Sequence, residues 1–205
     1  MPRNTFVIDL DRCIGCKGCQ VACKLENGVA LGPGRNTVYQ VGPTGTYPQV
    51  QMYFLPVLCQ QCENPACMAV CPTGACHREG EEGIVLIDPE QCISCGSCRD
   101  ACPYGVIQPN RELRVMDKCT TCLASRRAGD EPACVRNCSG SALCFGDLDD
   151  PESEASLRLR QAEGHVYQLR DEGDCRPTVR YILRRDQWQD LLPAQLTEVK
   201  RGGKG

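Results

Sequence analysis

The sequence predicts an α+β fold built from four copies of one unit: a short strand, a sulfur-rich loop and a helical turn. Three observations predict it. The cysteines fall into four sets of common form, strand-like segments ending in Asp precede three of the sets, and similar turns follow three of them.

The first strand-like segment is "TFVIDLDRC", a β-branched run that enters the first set, Cys13, Cys16, Cys19 and Cys23. The last residues of that loop, from Cys19 to Glu26, read as helical. Residues 24–58 then look like an insertion: "NTVYQV", the turn "GPTG" and "YPQVQMYFLPV" predict a β-hairpin leading into the second set, Cys59, Cys62, Cys67 and Cys71. "GIVLIDPEQC" opens the third set, Cys92, Cys95, Cys98 and Cys102, with helical residues from Cys98 to Cys102. "LRVMDKC" opens the fourth, Cys119, Cys122, Cys134 and Cys138. The turns "PTGAC", "PYGVI" and, more loosely, "SGSAL" follow sets two, three and four. Near residue 147 the composition becomes acidic, and Asp147 to Glu154 read as a solvated helix start. "RPTVRYILRRDQWQDLLP" offers a strand and then a short helix capped by Asp186.

The bulk numbers exclude several classes. A chain of 205 residues buries a core without disulfides, so its 19 cysteines are not needed as staples, and only two histidines accompany them. No uncharged apolar run approaches the length of a membrane span, the longest candidate being "MYFLPVLC". A net charge of -3 with no basic, aromatic-studded stripe gives no sign of nucleic acid. The opening "MPRNTFVIDLDRC" carries no export signal, and no catalytic triad, P-loop or dinucleotide fingerprint is present.

Each set opens with CxxC and closes with CxxxC, with two residues between the halves in sets one and three, four in set two and eleven in set four. Zinc needs two separated CxxC halves; three sulfurs within seven residues exceed that. A CxxCxxCxxxC run instead wraps three sulfurs around a cubic iron–sulfur cluster, and its fourth sulfur ligates a second cluster in two-cluster ferredoxins. Gly15, Gly18 and Gly96 suit a loop curled around a bulky core.

Sharing of sulfurs requires the sets to pair. Pro72 and Pro103 follow Cys71 and Cys102, whereas Lys24 and Ser139 follow Cys23 and Cys138, so sets two and three pair with each other and sets one and four are left together. Pairing set one with set two is the alternative. On the first assignment one cluster takes Cys59, Cys62, Cys67 and Cys102, and its neighbour takes Cys92, Cys95, Cys98 and Cys71. A third takes Cys13, Cys16, Cys19 and Cys138, and the fourth Cys119, Cys122, Cys134 and Cys23. All sixteen positions being cysteine, all four clusters are expected to be [4Fe-4S].

The remaining cysteines read as packing. Cys76 occupies the place of Ile107 and Leu143 in the repeat, and Cys144 and Cys175 lack ligand spacing, though a disulfide between those two is an open alternative. His77 and His165 read as ordinary histidines, and Trp188, Tyr181 and Leu183 as core. Four oxidised clusters would move the formal charge from -3 to about -11. Lys17, Lys24, Lys118, Arg126, Arg127 and Arg136, which flank the sulfurs, would offset that and raise cluster potentials; surface ion pairing is the blander account.

The ordered quartet "CIGCKGCQVAC", "CQQCENPACMAVC", "CISCGSCRDAC" and "CTTCLASRRAGDEPACVRNC" resembles the four-cluster iron–sulfur subunits of molybdopterin oxidoreductases of the dimethyl sulfoxide and polysulfide reductase type, over residues 5 to about 185. Nitrate reductase relatives replace one sulfur of the third set by Trp, whereas Cys95 and Cys98 are both present here; the missing Pro after Cys138 is a departure. The resemblance implies tandem bacterial-ferredoxin-like halves: residues 1–23 with 110–147, holding sets one and four, and residues 59–109, holding sets two and three. The β-hairpin insertion 24–58 and a C-terminal extension 148–205 that contacts a partner complete it. It implies an electron-transfer subunit, not itself an enzyme, working between a large molybdopterin-containing catalytic subunit and an integral membrane quinone-binding subunit or a soluble donor. The periplasmic side of the bacterial cytoplasmic membrane, reached by export with the catalytic subunit, is the expected location, with the cytoplasmic side as alternative. An independent multi-cluster ferredoxin is the rival reading.

Overall fold

The computed structural model describes residues 3–32, 34–171, 173–184 and 196–198. A five-stranded mixed sheet forms its centre, in the order β11 (Leu196–Glu198), β9 (Val166–Leu169), β10 (Arg180–Ile182), β1 (Asn4–Asp9), β8 (Leu143–Asp147). β1 runs parallel to β10 and antiparallel to β8. It is covered on both faces, and so the six residues Thr5 to Leu10 are all buried as a continuous run. Phe6, Ile8 and Leu10 face the main core with Tyr53, Leu55 and Tyr181, whereas Val7 faces a smaller layer with Cys144, Ala155 and Ile182. Phe6 meets its cross-strand partner Phe145 edge to face, ring centres 4.9 Å apart.

The smaller layer is closed by α6 (Glu154–Gln161), the helix expected from the acidic stretch. Ser153 caps it, its Oγ accepting from Ser156 N at 3.2 Å, and Glu154 lies in the first turn where negative charge suits the helix dipole. The described residues after 147 thus supply four elements, α6 and three strands of the central sheet. Tyr181 and Leu183 are core as expected; Trp188 and the helix expected after Asp186 lie outside the described residues.

The hairpin forms from β2 (Asn36–Thr44) and β3 (Gln51–Leu58). "GPTG" is not its turn: Gly42 to Thr44 remain in β2, the register shifts between Val41 and Thr44, and the chain reverses after Thr44. Two short hairpins link the later sets, β4 (Cys76–Arg78) with β5 (Val85–Ile87) and β6 (Gln108–Asn110) with β7 (Val115–Asp117). Helical segments carry the closing CxxxC of each set: α1 (Gly18–Glu26), α2 (Ala66–Ala69), α3 (Ser97–Asp100) and α5 (Ala133–Arg136). α4 (Leu123–Arg127) lies within the long fourth loop. α1 packs on α5, and α2 on α3.

Candidate metal centres

The four loops share one backbone trick. The second residue after each opening cysteine is left-handed: Gly15 at φ 68, Gln61 at 47, Ser94 at 56 and Thr121 at 55. Only the first is glycine, so the curl is imposed by the loop rather than by residue type. Gly15 also lacks room, because a Cβ there would lie 2.5 Å from the Phe54 ring. Gly96 is left-handed at φ 82, but its counterpart in the first set is Lys17 at φ 60; the expectation for Gly18 holds only as close approach, with a Cβ 3.3 Å from Asn137 O.

A second repeat follows the closing sulfurs. The amide three residues on bonds back to the cysteine carbonyl in Gly74→Cys71, Gly105→Cys102 and Ser141→Cys138, and all three donors are left-handed. The fourth set makes this turn without proline. Ala142 N then donates to Cys138 Sγ at 3.2 Å, as Cys76 N does to Cys71 Sγ at 3.4 Å. Met116 N reaches Cys92 Sγ at 3.4 Å and Thr121 N reaches Cys119 Sγ at 3.3 Å. Each of these backbone N–H groups is a donor aimed at sulfur.

The electrostatic influence of the thiols on one another is consistent with four quartets. Burial first, and then Cys13, Cys138 and Cys16, push the Cys19 thiol up to about 11. Burial likewise raises Cys134, with Cys119, Cys23 and Cys122 adding to it, and these four sulfurs line one cavity with Phe6 and Asn27. Cys62 is raised by burial and then by Cys59, Cys175, Cys67 and Cys102. In the last group burial raises Cys98, and Cys92 adds to it; Ser97 lowers Cys95 while Cys71 opposes, and Cys71, Cys92 and Cys98 pack in one apolar cluster. In each group the thiols that act on one another include sulfurs of one set and the last sulfur of another.

Electrostatic influence between quartets suggests an order. Cys134 feels Cys19, Cys119 feels Cys59, and Cys98 feels Cys67. The sequence of quartets is therefore that of Cys13, that of Cys119, that of Cys59 and that of Cys92. Cys16 and Cys95 are the exposed cysteines, and they belong to the two ends.

Among the described residues, no three His, Cys, Asp or Glu side chains stand where one metal ion would join them. A cube has no such requirement, because each thiolate binds a different iron. Two features of the quartets fit a cube. Crowded thiols that raise one another's pKa gain relief from the positive charge of iron. Tyr104 Oη is buried without a partner beside Cys62 and Cys102, an orphan O–H that acceptor sulfur would satisfy.

Of the six cations singled out from the sequence, two act on sulfur. Lys24 opposes the rise of Cys23, and Lys118 that of Cys119; Cys67 is lowered, first by its hydrogen bond with Cys76 and further by Lys118. Lys17 is exposed, and the three arginines form ion pairs: Arg126 with Glu82, Arg127 with Glu79 and Arg136 with Glu26. Sequence reasoning misses Arg35 and Asn27. Arg35 is the strongest influence lowering Cys23, and it bonds Asp117 at 2.9 Å and Asn27 Oδ1 at 2.8 Å. Asn27 Nδ2 in turn approaches Cys23 Sγ at 3.8 Å and Cys122 Sγ at 3.7 Å. Asn27 directly follows the first helix, a position that could have suggested a cap; nothing local marks Arg35.

All nineteen cysteines are free. Cys144 packs against Val7 and Ala155, whereas Cys175 lies beside Cys62, so the two are not disulfide partners. Cys76 is buried as expected, but against Cys67 and Cys98.

The 4Fe-4S dicluster domain family matches the chain twice, over residues 50–148 and residues 12–75. One component of the tetrathionate reductase of Salmonella typhimurium is 41% identical, over 88% of this chain and 72% of that protein. One component of the sulfite dehydrogenase of Allochromatium vinosum is 36% identical, over 97% of this chain and 90% of its own length. The arsenate respiratory reductase iron–sulfur protein ArrB of a Shewanella strain is 33% identical, over 88% and 96%.

Proposed function

The chain belongs to the iron–sulfur subunits of the molybdopterin oxidoreductases, and on that premise we propose how its cysteines divide the cofactors and which ends of the subunit meet partners. It is an electron-transfer subunit with four [4Fe-4S] clusters, a component of an oxidoreductase rather than its catalytic part.

The ligand sets are Cys13, Cys16, Cys19 and Cys138; Cys23, Cys119, Cys122 and Cys134; Cys59, Cys62, Cys67 and Cys102; and Cys71, Cys92, Cys95 and Cys98. The mutual electrostatics of the thiols support this division. Bound there, the clusters supply one-electron redox chemistry at potentials set by exposure, charge and hydrogen bonds to sulfur. The two halves are 1–23 with 110–147, and 59–109. Support comes from β1 pairing with β8, from α1 packing on α5 and from α2 packing on α3. The hairpin of 24–58 and the segment from 148 onward are additions to those halves.

The observation that carries the reading is the order of quartets, with exposed cysteines only at its two ends. Cys16 and Cys95 open to the surface beside Ile14, 62% exposed, and Ile93, 64% exposed. The Cys23, Cys119, Cys122 and Cys134 quartet is buried throughout, and in the next quartet Cys59 is buried and Cys62, Cys67 and Cys102 are half-buried. A chain shaped this way connects two partners: the large molybdopterin-containing subunit at one end, and a membrane quinone-binding subunit or soluble donor at the other. Among the described residues no helix is long and apolar enough to cross a membrane, so a membrane partner would bring its own anchor. The periplasmic side, by export with the catalytic subunit, is the location proposed.

Two measurements test this. Anaerobically prepared protein should contain about four irons per quartet. Cys134→Ala should lose one cluster, whereas Cys144→Ala should lose none; equal loss in both would refute the ligand assignment. Co-expression with the catalytic subunit should give a complex in gel filtration, and a chain eluting alone would favour the independent ferredoxin.

A further inference from the structure

Lys118 is 1% exposed, a lysine as deeply buried as the core residues around it. Its Nζ donates to Val85 O and, at 3.2 Å, to Cys119 O. The same Cys119 carbonyl accepts from Gln61 Nε2 at 3.4 Å, and Gln61 Oε1 accepts from Val85 N at 2.8 Å. Gln61 lies inside the loop between Cys59 and Cys62. The ammonium therefore sits where the loop of the Cys59 quartet meets the first sulfur of the Cys119 quartet.

Carbonyl dipoles solvate an ammonium but do not neutralise it. No carboxylate among the described residues is paired with Lys118; its neighbour Asp117 pairs with Arg35. A buried charge without a counter-charge is strongly disfavoured. The groups that can supply negative charge are the sulfurs on either side, since Nζ bonds the backbone of Cys119 in one quartet and shares that carbonyl with Gln61 of the Cys59–Cys62 loop in the other.

We propose that Lys118 is a fixed, water-shielded positive charge at the junction of the two middle quartets, that the clusters bound there are its counter-ions, and that it holds both potentials up. The proposal rests on the four-cluster reading above. Reduction adds negative charge to a cluster, so a nearby cation favours the reduced form. Lys118 is thus a positioning residue for charge and not a ligand, and its reach is confined to the middle of the path.

The experiment compares Lys118→Met, Lys118→Gln and Lys118→Arg in the full chain, by iron analysis and by redox titration followed with electron paramagnetic resonance. Glutamine can still donate to the carbonyls but carries no charge; arginine keeps the charge. With iron retained, Met and Gln should shift the reduction equilibrium of two clusters by about tenfold, 59 mV more negative for one electron. These should be the clusters that respond to Cys67→Ser and Cys122→Ser, and Arg should leave them near wild type. Loss of iron in Met and Gln but not in Arg would also support the counter-ion role. Retained iron with unmoved potentials, a shift confined to the end clusters, or equal iron loss in all three variants would overturn the proposal. A wild-type chain far short of its irons would instead overturn the four-cluster reading itself.

Discussion

Replacing Asn27 by Ala removes one side chain that performs three tasks. Its Nδ2 donates to Cys23 O at 2.9 Å, closing the end of α1, and approaches Cys23 Sγ and Cys122 Sγ at 3.8 and 3.7 Å. Its Oδ1 accepts from Arg35 Nη1 at 2.8 Å. The carbonyl loses little, because Asn27 N still reaches it at 3.1 Å. The neutral bond contributes about 1 kcal/mol and the charge-assisted one a similar amount, since Arg35 keeps Asp117. A loss of about 2 kcal/mol corresponds to a melting temperature roughly 4–8 °C lower in a chain of this size. Both sulfur contacts are long, so about 0.5 kcal/mol each is a fair share of their preference for the more negative, reduced state. Together they make about 1 kcal/mol, or about 40 mV in a one-electron couple. Redox titration of the loaded protein should therefore find one cluster, that of Cys23 and Cys122, about 40 mV lower. Asn27→Asp should retain the Arg35 bond and much of the stability yet lower the same potential at least as far. A lowered melting temperature with every potential unchanged would reduce Asn27 to a helix cap and refute the reasoning.

Three further substitutions test the loops. Ser141 holds at φ 46 the place that Gly74 and Gly105 hold in the other turns, so Ser141→Gly should stabilise by about 0.5–1 kcal/mol in calorimetry. Gly140→Ala should do the opposite: its Cβ would lie 2.4 Å from the backbone oxygen of Arg12, and urea unfolding should show a loss of about 1–3 kcal/mol. Arg126→Ala breaks the Glu82 ion pair, two bonds to Thr121 and the 4.5 Å stack on Phe145, and thermal unfolding should show a loss of about 2–3 kcal/mol.

The features legible in the sequence are those that each repeat encodes within a few residues. The sulfur spacing, the helical CxxxC segments and the hairpin are all readable because their signals are local. The left-handed second residue of each loop is legible only at Gly15, since Gln61, Ser94 and Thr121 are forced into it by the loop and give no compositional sign. Long-range juxtaposition is hidden for another reason. Cys175 reaches Cys62 through the backbone bonds Glu63→Arg176 and Asn64→Cys175, and Arg35 reaches the fourth set through Asp117; neither contact has a periodicity or a spacing to betray it. Central β1 is flanked by β10, from the far end of the described chain, in a parallel pairing that apolar patterning alone does not specify.

The swap of sulfurs has a mechanical consequence that explains where the polar core lies. On the proposed ligand assignment, neighbouring quartets of one half share two short helical segments, since Cys19 and Cys23 on α1, or Cys67 and Cys71 around α2, fall to different quartets. Their separation is thereby fixed by one turn of backbone, and nothing else need hold it. Between the halves no CxxxC segment spans the gap from the Cys119 quartet to the Cys59 quartet. That gap is bridged instead by side chains: Gln61 and Lys118 meeting on one carbonyl, with Val85 held by both. Apolar packing alone would tolerate sliding there, because it has no preferred direction, whereas buried donors and acceptors are satisfied at one geometry only. The least covalently braced step of the path is therefore one where the fold places a buried amide and a buried ammonium.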